Sequence, residues 1–148
     1  MVDPRNTTII MEYIEGKQLK QLFNAIPSDK RQNICFRIGE LVSMLHERGL
    51  VHGDLTTSNM IQQPEGNIVF LDFGLGEKTN ELEAKGVDLH LMKRALQSTH
   101  YEFAEDCFNS VMKGYSKGLT SDMLEDILRK IGEIERRGRY VVGRKEIG

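Results

Sequence analysis

The chain has 148 residues, 39% of them hydrophobic, enough for one domain with a core that removes roughly two-thirds of the extended surface from water. Its 20 basic and 22 acidic residues leave a net charge of −2, which excludes a bulk electrostatic drive toward nucleic acid or acidic substrates and requires any basic patch to be local. No stretch approaches 18 uncharged apolar residues and the MVDPRNTT start carries no apolar run, so no spanning helix or signal peptide is expected, and the reading is a soluble, cytoplasmic protein with no membrane contact.

In chain order, TTIIMEYI at 7–14 reads as a β-strand, broken by Gly16, with KQLKQLFNAI following as a short helix. Ser28, after Pro27, is a candidate N-cap for a helix that carries Ile34, Ile38, Leu41, Val42 and Leu45 on one face and ends near Gly49. From Leu50 to Leu71, brief apolar pieces separated by PEGN predict two short strands around a hairpin. Helical periodicity resumes near Ala84, with one stripe of Val87, Leu91 and Ala95 and another of Leu124, Ile127, Leu128, Ile131 and Ile134. The expected fold is mostly α with a small β element in its middle. Cys35 and Cys107 fall within helical segments without metal or disulfide spacing and read as buried free thiols.

The chemistry lies on the β element. In HGDLTTSN, residues 52–59, Asp54 and Asn59 are five positions apart, and Asp72 of VFLDFGLG follows 18 after Asp54. This is the spacing of a kinase catalytic loop and DFG motif, 72–74. Phosphoryl transfer needs a metal bridging phosphate oxygens, and Mg²⁺ takes hard oxygen ligands such as the Asp72 carboxylate and the Asn59 amide oxygen. Asp54 would orient or deprotonate the acceptor. Gly74 would let the backbone turn sharply from the metal while Phe73 packs inward. His52 would brace the loop by hydrogen bonds, whereas His46, His90 and His100 show no ligand spacing. Lys93 and Arg94 beside Lys85 read as a solvated helix face, with a partner contact as the alternative.

On these motifs the chain resembles the C-terminal lobe of a protein-kinase-like fold over residues 1–135. The match implies that MEYIEG at 11–16 is the hinge, that Met11 is the gatekeeper, and that the backbone of Glu12 and Ile14 meets the adenine of ATP. HGDLTTSN and DFGLG followed by KGVDLHLMKRAL look most like the small atypical serine/threonine kinase subunit of the KEOPS tRNA-modification complex. That resemblance implies Mg²⁺ and ATP as cofactors, ATP hydrolysis in support of threonylcarbamoyladenosine formation with some serine/threonine autophosphorylation, and the KEOPS catalytic and small regulatory subunits as partners.

Departures from an ordinary protein kinase point the same way. Gly53 stands where arginine usually meets an activation-loop phosphate, and Thr56 stands where lysine usually contacts the transferred phosphate. Only 13 residues separate Gly74 from Asp88, without an APE sequence. Asp88 resembles the buried helix aspartate that braces the catalytic loop. The chain contains no glycine-rich phosphate loop, strand lysine or partner glutamate upstream of the hinge-like strand. It therefore reads as a C-lobe lacking its N-lobe, a truncated product in which Mg²⁺ and two carboxylates alone would meet the phosphates. Two further readings are a noncatalytic partner-binding module built on that lobe and a small-molecule phosphotransferase of the aminoglycoside or choline kinase type, which shares HGDL. Residues 136–148, RRGRYVVGRKEIG, carry Arg136, Arg137, Arg139, Arg144 and Lys145, and their glycines predict an extended, mobile basic tail. In the KEOPS-like kinases such a tail is implicated in contacts with the catalytic partner and tRNA.

Overall fold

The first 16 residues make only local structure. In a computed structural model that describes the backbone of residues 1–147 and the side chains of residues 1–139, β1 (Val2–Asp3) and β2 (Thr8–Ile9) pair as an antiparallel hairpin. The strand expected over 7–14 thus shrinks to two residues. Ile10 still exchanges hydrogen bonds with Met1, but Ile10, Met11 and Tyr13 remain exposed. After Gly16 come β3 (Lys17–Gln18), α1 (Leu19–Leu22) and a 3₁₀ turn over Phe23–Ala25. Leu19 and Phe23 are fully buried and tie this segment to the core.

α2 (Ser28–Glu47) begins one residue earlier than the cap reading placed it. Pro27 occupies the N-cap, and Ser28 Oγ accepts a hydrogen bond from Gln32 Nε2 instead of capping the backbone. Ile34, Ile38 and Val42 are buried as expected, and the helix ends at Glu47, two residues before Gly49, where φ is +72°. β4 (Leu50–Val51), β5 (Met60–Gln62), β6 (Ile68–Phe70) and β7 (Glu77–Lys78) complete the strands. The expected hairpin is β5 and β6, antiparallel with Ile61 opposite Val69. β3 joins it in a three-stranded sheet, and β4 pairs with β7. Strand structure is consequently spread over three small sheets rather than held in one central element.

α3 (Leu82–Thr99) is rotated from the expected orientation. Leu89, Met92 and Leu96 are fully buried, whereas Val87 and Leu91 are 37% and 38% exposed. Both rows are apolar, so periodicity cannot rank them. Asp88 decides, because its carboxylate bonds backbone amides at the end of β4 and draws the adjoining row inside.

α4 (Ala104–Ser116) lies directly against α2. A Cβ on Gly39 would sit 1.9 Å from the Val111 carbonyl oxygen, and one on Gly114 would sit 1.9 Å from that of Phe36. The two backbones touch through these glycines, and any side chain there would force the helices apart. Cys35 and Cys107, both free and buried, face each other across the same contact.

α5 (Ser121–Ile147) corrects the reading of a mobile tail, since helix continues through residues 136–147. Ile127 and Ile131 are buried, while Leu128 is 48% exposed. Arg137 pairs with Glu83, which Lys130 also reaches at 3.5 Å, and Lys93 pairs with Glu135. Lys93 therefore belongs to the contact between α3 and α5 rather than to a solvated face. A glycine inside a helix costs about 1 kcal/mol, and the cross-helix ion pairs and buried isoleucines outweigh that at Gly132 and Gly138. The side chains of Arg144 and Lys145 lie outside the described residues. Among the described residues no helix is long and apolar enough to cross a membrane.

Candidate active site

Residues 52–59 leave β4, pass through a 3₁₀ turn at Thr57–Asn59 and enter β5. Leu55 and Thr57 point into the core, while Asp54 and Asn59 stay half-buried at the surface of the loop. Asn59 Nδ2 donates to the Asp54 carbonyl oxygen at 3.0 Å and to Asp54 Oδ2 at 2.9 Å. Five residues of separation are thus closed into a single unit. Both amide protons face Asp54, and the Asn59 amide oxygen takes no part in these bonds.

Asp72 is brought to the same edge by its neighbour. Leu71 N–H donates to the Asn59 carbonyl oxygen at 2.7 Å, and the Leu71 carbonyl accepts from His52 Nε2 at 2.7 Å. These two bonds clamp the end of β6 onto the loop. Asp72 itself is exposed at φ 56°, and its Oδ1 accepts from Gly74 N–H at 3.2 Å. The sharp turn expected at Gly74 therefore occurs at Asp72, a residue type that tolerates the left-handed region better than most. Phe73 packs on the His52 ring at 4.4 Å between centroids yet remains 46% exposed, only partly fulfilling the inward packing.

His52 has no proton to exchange with a substrate. Its Nε2–H is committed to Leu71, and its Nδ1 accepts from Asp54 N–H at 3.1 Å. Asp88 braces the loop as expected: Oδ2 accepts from His52 N–H at 3.0 Å and Oδ1 from Gly53 N–H at 2.9 Å. Burial alone would raise the Asp88 pKa, but hydrogen bonds from His46 and these two amides hold it below the usual carboxylate range.

Four supporting residues were not apparent from sequence. His46 Nε2 meets Asp88 Oδ2 at 2.8 Å, Tyr115 Oη meets His46 Nδ1 at 2.8 Å, and Thr57 Oγ1 bonds His100 Nε2 at 2.8 Å. The available signal was positional, because His46 extends the buried row Ile34, Ile38, Val42 by one further step of four. Burial, then the charges of Arg31 and Lys20, hold His100 below its ordinary pKa.

Of the residues expected to form the hinge, Met11 and Glu12 are exposed and Ile14 is half-buried, in an irregular segment that precedes β3. Among the described residues no group of three or more His, Cys, Asp or Glu side chains forms a metal cage. Asp72 and Asn59 fit Mg²⁺ in another way, as one carboxylate and one amide oxygen at an open edge. Mg²⁺ is commonly held by one or two protein oxygens together with substrate phosphates and water.

The protein kinase domain profile matches residues 1–119. The chain is 52% identical to the KEOPS complex subunit Bud32 of Pyrococcus abyssi over 94% of its own length and 63% of that protein. It is 44% identical, over 94% of its length and 24% of the relative, to a probable bifunctional tRNA threonylcarbamoyladenosine biosynthesis protein of Methanothermobacter thermautotrophicus. A eukaryotic relative, the EKC/KEOPS complex subunit bud32 of Dictyostelium discoideum, is 37% identical over 94% of the chain and 56% of the relative. The chain thus spans under two-thirds of each of these proteins.

Proposed function

The chain belongs to the protein kinase domain family, and on that premise we propose that it carries the metal- and acceptor-binding edge of an ATP-dependent phosphoryl-transfer or ATP-hydrolysing site. The observation that supports this most is the unit made by Asp54 and Asn59, with Asp72 fixed beside it through Leu71. In this reading Asp72 and the Asn59 amide oxygen hold Mg²⁺, and Met11, Glu12 and Ile14 form the nucleotide hinge. Bound Mg·ATP supplies the electrophilic phosphoryl group and neutralises its developing charge. Asp54 accepts a hydrogen bond from the attacking hydroxyl or water, and Asn59 Nδ2 holds that carboxylate in place.

The names of the relatives extend the reading to tRNA threonylcarbamoyladenosine biosynthesis within a KEOPS-type assembly, with its catalytic and small regulatory subunits as partners. Arg136, Arg137, Arg139, Arg144 and Lys145 are the residues assigned to tRNA or partner contact. Hydrolysis is favoured over phosphorylation of protein substrates, because Thr56 replaces the lysine that would contact the transferred phosphate and the segment between Gly74 and Asp88 is short.

The test is a pair of variants followed by calorimetry and ATP turnover. Asp72→Ala is expected to abolish Mg²⁺-dependent nucleotide binding and turnover together, and Asp54→Ala to lower turnover while leaving Mg·ATP affinity nearly unchanged. Equal loss of affinity in both variants would overturn the role assignment.

A further inference from the structure

Behind the catalytic loop, a line of buried polar groups crosses three helices. Tyr115 on α4, His46 on α2 and Asp88 on α3 are 3%, 2% and 1% exposed, and Asp88 ends the line on the amides of His52 and Gly53. The next residue is Asp54. Such buried polar groups persist where every donor and acceptor is satisfied.

The proton positions follow from counting. Asp88 is held ionised, so it only accepts, and His46 Nε2 must carry a proton to bond it. Tyr115 Oη has His46 Nδ1 as its hydrogen-bond partner. If Nδ1 also carried a proton, the Tyr115 hydroxyl proton would be left in the core without an acceptor. The arrangement that satisfies all groups has the Tyr115 hydroxyl donating to Nδ1 and the His46 ring donating from Nε2. Burial, followed by the negative charges of Asp88 and Glu47, pushes the Tyr115 pKa well above its ordinary value, so the hydroxyl keeps the proton it donates.

We infer that Tyr115 is a positioning residue for the catalytic loop: its hydroxyl donates to His46 Nδ1 and holds the imidazole with Nε2–H on Asp88, and Asp88 then holds His52 and Gly53 so that Asp54 faces the acceptor. This deepens the proposed phosphoryl-transfer reading and assigns a remote side chain on α4 to the geometry of Asp54. Packing supports the same line, as the Tyr115 and His46 rings meet edge to face with centroids 5.5 Å apart. Tyr115→Phe would keep that contact while deleting the hydroxyl.

The experiment is nitrogen-detected NMR of the His46 ring and amide hydrogen exchange on the full chain, without nucleotide, for wild type, Tyr115→Phe and the packing control Val111→Ala. Wild type is expected to show His46 as the Nε2–H tautomer. Tyr115→Phe is expected to lose the hydrogen-bonded Nδ1 chemical shift, with His52 and Gly53 amides exchanging roughly five- to tenfold faster, the scale of one lost hydrogen bond. Val111→Ala is expected to leave the His46 Nδ1 shift unchanged and to accelerate loop amides only as far as its global stability falls. An unchanged His46 Nδ1 shift in Tyr115→Phe, or equal loop acceleration in both variants at matched stability, would overturn the inference. Because no nucleotide is present, these outcomes stand apart from the fate of the Asp54 and Asp72 roles. In turnover assays the relay predicts a lower kcat for Tyr115→Phe with KM for ATP unchanged.

Discussion

Gly53 turns against the backbone of Leu75: at φ +87°, a Cβ on Gly53 would lie 2.2 Å from the Leu75 carbonyl oxygen. The absence of arginine at this position is therefore a backbone requirement as well as a missing phosphate contact. The loop crosses the segment after Asp72 so closely that no side chain fits. Gly53→Ala is expected to cost more than about 1 kcal/mol, because alanine at positive φ adds strain even before the clash is counted. Gly53→Arg should be worse and should release the His52 and Gly53 amides from Asp88. Chemical denaturation measures the first effect and amide exchange the second, and a midpoint unchanged in Gly53→Ala would contradict the contact.

Acid should weaken the fold in two separable stages. The Asp88 pKa is depressed on folding, so its contribution is fully present above the unfolded value of about 4 and is lost as pH falls through the lower folded value. The His100 pKa is also depressed, by burial first and then by Arg31 and Lys20. Its contribution therefore begins to fall below about 6.5, the unfolded value, and is exhausted at its folded value. Stability measured against pH should flatten below about 4 in Asp88→Asn and in the upper window in His100→Gln. A wild-type curve level from neutrality to pH of about 3 would contradict both assignments.

The site was more legible than the helices that support it. Asp54, Asn59 and Asp72 were singled out by their spacing and lie on short loops that the Asn59–Asp54 and Leu71–Asn59 bonds bring together, and the β5–β6 hairpin is marked by PEGN. Asp88 could be placed as a brace for the same reason. Tyr115 could not, because its partner His46 lies 69 residues away and the bond depends on how α2 meets α4. The glycines that permit that contact, Gly39 and Gly114, look in sequence only like weak points in two helices. The strand reading at 7–14 held only at Thr8–Ile9, where Val2–Asp3 offers hydrogen bonds, since β propensity becomes a strand only where an edge is there to pair with. The tail reading failed because local glycine content was weighed without Glu83 and Glu135, which hold α5 onto α3.

The two apolar rows of α3 can be separated by truncation. Leu89 is fully buried in the core cluster and Leu91 is 38% exposed. Leu89→Ala is expected to cost about 2–5 kcal/mol, the range for deleting a buried leucine, and Leu91→Ala less than about 1 kcal/mol, in keeping with a surface position. Urea denaturation of both variants measures the difference. Equal losses would mean that α3 is rotated toward the orientation read from periodicity alone.

The end of α5 allows a sharper version of the nucleic-acid reading. If Arg136, Arg137, Arg139, Arg144 and Lys145 all met phosphates, counterion release would give tRNA binding a log–log salt slope of about −3 to −4. Arg137 and Arg139, however, contact Glu83 and Glu135 within the chain, and cations already paired release fewer counterions. A slope closer to about −2 is then expected for the wild-type chain, with Glu83→Gln steepening it by freeing Arg137. Deleting residues 136–148 is expected to weaken tRNA or partner association while leaving the core intact, because Ile127 and Ile131 precede the cut. Filter binding across a salt series, with thermal unfolding alongside, measures both effects. Tail-deleted protein that binds as tightly as the full chain at every salt concentration would show that the end of α5 serves only to pack on α3.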